Sequence, residues 1–425
     1  MSAFLTNDTK AIILLCGVLG KDRALKPLTQ REYTVLVNWL IGKNMRPEDL
    51  LEQDNVEHAA KGAGIDQERF KALLARGVQL GFAVEEWQRN GIWIISRSDK
   101  DYPVRYKRHL KDKSPPLLFG IGDRSLLQGG GVAIVGSRNV DVDGQVFARN
   151  AAELCAYNRM PVVSGGARGV DQISMTAALD AGGITLGVLA DNLLKKSLER
   201  NARNAIAEGR MVLISPYHPN ARFTVGTAMG RNRLIYALAD YALVVNAEHK
   251  TGGTWAGATE ELKRENPLTL FVRSGADVPL GNKKLLESGA IQWPEIKVRE
   301  HLKQQLADVA FKWAEKNKQK DLTLFDSFEE QTPQNDGSKQ LETSEIPSVP
   351  PKEELDADNF ETTTEDPIYE AVLPVILDQI ASPLSVDELS KNLNVSKAQF
   401  NLWLKKAAAQ GKVRKLSHPV RWCRT

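Results

Sequence analysis

The chain reads as an α/β protein: a mostly parallel sheet with helices on both faces, preceded by an all-helical segment and followed by a small basic domain. Three observations lead there. Between about 91 and 300, six short runs rich in Val, Ile and Leu recur: VAIVGS, PVVSGG, ITLGVLA, MVLISP, YALVVNA and LTLFVR. Helical stretches or glycine-rich turns separate them, which is the pattern of buried parallel strands. Before residue 90, LTQREYTVLVNWLIG and QERFKALLARGVQLGFAVEEW carry apolar residues at helical spacing instead.

Taken in order, residues 1–90 form the helical segment. Its longest apolar run, Ala11–Gly20, is flanked by lysines and is too short to span a bilayer, so a buried helix is expected. KGAGI (Lys61–Ile65) admits two readings, the turn of a helix-hairpin-helix-like or SAM-like domain and an ordinary helix–helix loop; the second is simpler. Residues 91–300 form the sheet domain, and 301–366 a helical extension followed by an acidic linker. From 321 to 366 there are 14 acidic and 2 basic residues, net −12; the chain total is +3, so the rest carries +15. The linker is rich in Pro, Ser and Thr and poor in large apolar groups, the composition of disorder. A basic body favours a polyanionic partner. Cys16, Cys155 and Cys423 lie far apart, with no Cys/His cluster. That points to a reducing, cytoplasmic setting and no metal site.

Each of three strand-like runs ends in a telling loop: Gly136-Ser137-Arg138, Ser164-Gly165-Gly166-Ala167-Arg168-Gly169-Val170-Asp171, and Thr251-Gly252-Gly253-Thr254. Glycines let backbone N–H groups approach an anion, and a following helix adds its positive end. Arg138 and Arg168 can add bidentate bonds to phosphate. Asp171 either folds its loop by accepting backbone N–H bonds or holds an arginine in place. A fourth element, Arg231-Asn232-Arg233 at a helix start, either grips successive phosphates or is a solvated helix end. No loop matches GxGxxG or GxxxxGK[ST], so no dinucleotide or P-loop cofactor is expected.

Residues 367–425 read as a winged helix. Ser385 and Glu388 are spaced as a capping box, Lys397–Ala409 is the second helix, and KVRKLSHPVRW alternates like a hairpin wing. After Glu388 there are nine Lys or Arg and no acid. Contacts to duplex DNA would fall on Lys397, Lys405, Lys406, Lys412, Arg414 and Lys415; a protein-interaction domain is the alternative. In DLTLFDSF, Leu322, Leu324 and Phe325 resemble the short peptides that dock into the bacterial sliding clamp, although an apolar end packing back onto the body is the simpler account.

The combined order of these motifs resembles the DprA/Smf family of DNA-processing proteins. The lead-in Trp93, Asp101-Tyr102-Pro103 and Pro115-Pro116-Leu117-Leu118-Phe119-Gly120 belongs to the same resemblance, which covers about 90–295. It implies an extended Rossmann-like fold that binds single-stranded DNA as a homodimer, loads RecA, and has no catalytic residues. The phosphate grip would fall on Ser137, Arg138, Ser164, Gly165, Arg168, Arg231 and Arg233. Two departures mark a divergent branch: Ile173-Ser174 stands where the family has Ala-His, and the later loop reads TGGTWAGATE. They leave room for a regulatory role beside a cognate toxin or phage-defence protein. They also leave room for a LOG-like nucleotide hydrolase using Glu260.

Overall fold

The computed structural model describes residues 5–20, 25–296 and 298–329, with side chains as far as 316, and then 373–374, 376–379, 385, 388–389, 403–404, 406–416 and 421–424. The chain divides into two compact units, Met1–Pro333 and Gln334–Thr425.

Helices α1 (Asn7–Cys16), α2 (Gln30–Gly42), α3 (Gln53–Gly62), α4 (Gln67–Leu74) and α5 (Gly77–Arg89) open the first unit. The Thr6 hydroxyl accepts the Thr9 N–H and so starts α1. Ala11 through Leu15 are all buried, so the first part of the apolar run is an interior helix; it ends at Cys16, and Val18 beyond it is exposed. No described helix is long and apolar enough to cross a membrane. A capping box between Thr29 and Glu32 starts α2. KGAGI is the turn between α3 and α4. Its Gly62 is there for packing, since a Cβ would lie 2.0 Å from the Trp39 indole nitrogen.

The strands follow: β1 (Trp93–Ser96), then α6 (Val104–Leu110), β2 (Leu117–Gly122), β3 (Val132–Gly136), α7 (Val142–Tyr157), β4 (Val162–Ser164), α8 (Val170–Asp180) and β5 (Thr185–Val188). Helices α9 (Leu193–Ser197) and α10 (Arg200–Ala207) lead to β6 (Met211–Ser215), α11 (Val225–Leu238), β7 (Tyr241–Asn246), α12 (Gly252–Leu262), β8 (Thr269–Val272), α13 (Leu280–Glu287), β9 (Ile291–Gln292) and α14 (Leu302–Glu329). One sheet results, ordered β1-β2-β6-β5-β4-β3-β7-β8-β9. From β6 to β9 every pair is parallel; β1 and β2 form an antiparallel edge beside β6.

Alternation along the strands sorts two faces. Ala133, Val135 and Val244 pack with α6, α11, α12 and α13. Val132, Ile134 and Leu243 pack with α7 and α8 and with Leu302 and Leu306 of α14. The family lead-in is structural. The Trp93 ring fills the space over Gly120, where a Cβ would be 2.2 Å away, and its Nε1–H donates to the Gly122 carbonyl. Tyr102 is buried and donates to the Pro115 carbonyl.

The helical segment ends at Arg89, and packing continues from it into the sheet. Ile12, Ile13 and Trp87 share a core with Phe119, Ile121, Met211 and Leu213 of β2 and β6. Helix α14 runs to Glu329, so the first nine residues of the acidic 321–366 segment, expected to be disordered, are helical; 330–366 lie outside the described residues.

In the second unit, β10 (Val413–Leu416) and β11 (Arg421–Arg424) pair antiparallel. Leu373, Ile376, Leu389, Trp403, Leu404, Ala407, Val413 and Trp422 form its core. Ser385 and Glu388 exchange the two bonds of a capping box.

Candidate nucleic-acid interface

The chain runs outward from β3 through β4, β5 and β6, then returns to place β7 on the other side of β3. Helix α7 leaves β3 on one face of the sheet and α12 leaves β7 on the other. This reversal is where open α/β sheets hold ligands, beyond the carboxyl ends of the strands. A cavity of about 640 Å³ lies there. Ser137 and Arg138 after β3, Asp171 after β4, Arg231 and Asn232 of α11, and Thr251 to Thr254 after β7 all line it. Gly136, Ser164, Gly165, Gly166, Arg168, Gly169 and Arg233 do not line it.

The first two loops interlock. Gly169 has φ +88°, and a Cβ there would lie 2.4 Å from the Ser137 carbonyl oxygen, so only glycine fits. The Val170 side chain occupies the space that a Cβ on Gly136 would need, 2.5 Å away. Ser164 is buried and its hydroxyl donates to the Ile134 carbonyl at 2.7 Å, which anchors the strand end. Ser137 and Arg138 stay at the surface; the Arg138 guanidinium lies 5.1 Å from the centre of the Phe223 ring. Arg168 is exposed.

Asp171 does both things open to it. Its Oδ2 accepts the Gly165 N–H at 3.2 Å and the Ala167 N–H at 3.4 Å, and it faces Arg231 at 3.9 Å. Burial pushes the Asp171 carboxyl above its ordinary range, and Arg231 opposes that shift. Burial likewise lowers the Arg231 guanidinium, against the pull of Asp171. Arg231 is 5% exposed. It lies directly behind Gly165, where a Cβ would fall 1.3 Å from its Nη1.

The Arg231-Asn232-Arg233 triplet therefore divides its work. Arg231 turns inward, and its Nε and Nη1 have no hydrogen-bond partner. Asn232 donates to the Gly253 carbonyl at 3.0 Å, bracing the third loop. Arg233 donates to Gln30 of α2 at 3.0 Å, tying the site helix to the N-terminal segment.

The third loop uses Gly252 at φ +78°. Thr251 precedes α12 without a side-chain cap, so the first-turn N–H groups of that helix face the cavity uncapped. His249 stands perpendicular to Trp255, ring centres 4.8 Å apart. By contrast, Asp141 closes the N-terminus of α7: it accepts the Gly144 N–H and pairs with both Arg273 nitrogens, at 3.2 and 2.9 Å. Burial works against it, but those partners hold its carboxyl below the ordinary value.

Sequence reasoning missed Asp141, Arg273 and Asn282. Asn282 is fully buried and bonds to Ala247 N–H and to the carbonyls of Val245 and Arg273, which fixes the turn out of β7. An Asp at a helix N-cap was a readable signal; its arginine partner was not. Also missed were the exposed apolar groups beside the cavity: Phe223 (46%), Val225 and Met229 (50%).

Other residues lie elsewhere. Glu260 belongs to a second cavity of about 990 Å³, with Arg105, His109 and Lys263 near the amino ends of β7 and β8, away from the three loops. Lys412 and Arg414 are exposed and Lys406 is half-buried. Lys397 and Lys405 are outside the described residues, as are the side chains of Lys415 and of Leu322, Leu324 and Phe325. Among the described residues, no cluster of three or more His, Cys, Asp or Glu is placed to hold a metal.

Residues 93–301 match the family described as DNA recombination-mediator protein A. The DNA processing protein DprA of Bacillus subtilis (strain 168) is 32% identical over 169 residues, 39% of this chain and 56% of its own length. Protein Smf of Escherichia coli (strain K12) is 30% identical over 185 residues, 42% of this chain and 48% of its own. The chain thus spans about half the length of the curated relatives it matches. The X-ray structure of DprA from Streptococcus pneumoniae has a TM-score of 0.55 at 22% identity, covering 68% of this chain and 95% of that one, which shows a common fold. The matched segment coincides with the sheet and all three loops, so residues 93–301 of this chain form a domain of the DprA/Smf type found in DNA-processing proteins.

Proposed function

We propose that this chain binds single-stranded DNA along the carboxyl edge of its sheet, without catalysing a reaction on it. The observation that carries this is the convergence of three glycine loops on one cavity at the strand-order reversal, with an uncapped helix N-terminus and Arg138 at its mouth. Such a surface recognises phosphates and reads no sequence. Arg138 and Arg168 are the outward cations. Ser164, Gly165 and Asp171 act behind them, shaping the loop rather than touching the strand. Phe223, Val225 and Met229 offer apolar surface where unpaired bases come to rest. Domains of the type formed by residues 93–301 are found in DNA-processing proteins, which supports a nucleic-acid ligand over a small metabolite.

In this reading the loaded strand passes to a recombinase of the RecA type, the protein acts as a dimer, and the second unit adds duplex contacts through Lys406, Lys412 and Arg414. The test is a salt-titrated anisotropy assay on single strand and duplex. Log affinity for the single strand should fall linearly with log salt, with a slope near −0.7 per neutralised phosphate. Duplex bound as tightly by a 1–333 fragment as single strand would refute the assignment.

A further inference from the structure

We propose that the cavity beneath the three loops takes a phosphomonoester, meaning the free terminal phosphate of a strand or of a mononucleotide, with the nucleoside that carries it. This rests on the nucleic-acid reading above and narrows it. The cavity has depth. Arg138, Phe223 and Thr251 at its mouth are exposed, while Val135, Ile235 and Tyr236 at its floor are buried. Its volume of about 640 Å³ is of the size that small-molecule sites have.

Arg231 lines it and is 5% exposed; its Nε and Nη1 make no hydrogen bond, Nη1 having only the distant ion pair to Asp171. The nearby Asp171 carboxylate, 3.9 Å away, is already engaged by two backbone N–H groups. A buried guanidinium with unmade hydrogen bonds is costly until an acceptor arrives. The uncapped N-terminus of α12, a helix of 11 residues, adds a second anion-attracting element on the same wall.

The chemistry of the anion follows from depth. A phosphodiester inside a strand carries a sugar on each side, and both must return to the surface. A phosphate that leaves the surface to reach Arg231 has only one ester link. It also carries about −1.5 to −2 charge at neutral pH, more than the single charge of a diester. Tyr236 and Trp255 line the same space and give the attached nucleoside an apolar wall.

The experiment uses the full chain and an internally labelled oligothymidylate: 5′-phosphorylated, 3′-phosphorylated, hydroxyl-ended or closed into a circle. Thymidine 5′-monophosphate and thymidine serve as competitors. At least one phosphorylated end should bind about tenfold more tightly than the hydroxyl-ended strand, or the nucleotide but not the nucleoside should displace the strand. End preference assigns the site to strand termini, displacement to free nucleotide. Arg231→Gln should bring the ratio close to one; if a thermal melt shows that variant unfolded, the ratio in the unaltered protein still decides. Equal affinity for all four strands without displacement overturns the inference and leaves single-strand binding standing. No binding of any strand overturns both.

Discussion

The arginines near the site divide between outward cations, Arg138 and Arg168, and inward or bracing groups, Arg231 and Arg233, and substitution should separate the two kinds. Arg138→Ala and Arg168→Ala remove outward cations, so each should weaken single-strand binding about tenfold, with the melting temperature preserved. Unchanged anisotropy titrations in both would contradict the phosphate role. Gly169→Ala should act through the fold. It forces a side chain into φ +88° and onto the Ser137 carbonyl, at a cost of about 2–4 kcal/mol, visible as a lower melting temperature with weakened binding. These loops were legible because glycine and arginine directly after a strand declare themselves locally. The orientation of the triplet was not. Arg233 spends its bond on Gln30, 203 residues away, and Arg231 turns inward only because Gly165 leaves it room. Such long-range partners leave no trace in a short window of sequence.

At the scale of elements, capping and charge hold α2 in place. Arg69 of α4 grips Glu32 through two bonds, 2.6 and 3.2 Å, and donates to the Lys26 and Pro27 carbonyls. Arg69 holds the Glu32 carboxyl at about 2, below its ordinary 4.5. A depressed carboxylate contributes stability that is present above 4.5 and fades as the pH falls toward 2. Glu32→Gln should therefore lower the melting temperature at neutral pH by about 1–3 °C and flatten its acid dependence in that window. An identical melting-pH curve for the variant would count against this coupling. The strands from β3 to β8 were legible from their Val, Ile and Leu runs, but the antiparallel edge was less so: a run of apolar residues does not declare strand direction, and the Trp93 ring meets Gly120 across 27 residues of sequence.

For the whole molecule, the division of the chain sets what can be removed. A fragment ending at residue 333 keeps the first compact unit, so it should fold with the melting temperature of that unit. A fragment starting at residue 91 loses the cover over Phe119, Ile121, Met211 and Leu213 and should aggregate. Sedimentation of the two fragments distinguishes these outcomes; a soluble, monomeric 91–333 fragment would mean that the shared core is dispensable. Composition placed the boundary near 90 because helix-spaced residues give way there to strand-like runs. It carried no information on which faces would meet.

The same shared core has a temporal side. Ile12 and Ile13 leave the ribosome about 200 residues before Met211 and Leu213. At typical translation speeds that interval is roughly 10–40 s. For that time the first helix can pack on the other N-terminal helices, but the part of its apolar surface that β6 will cover stays open, which makes that surface a foothold for a holdase chaperone during synthesis.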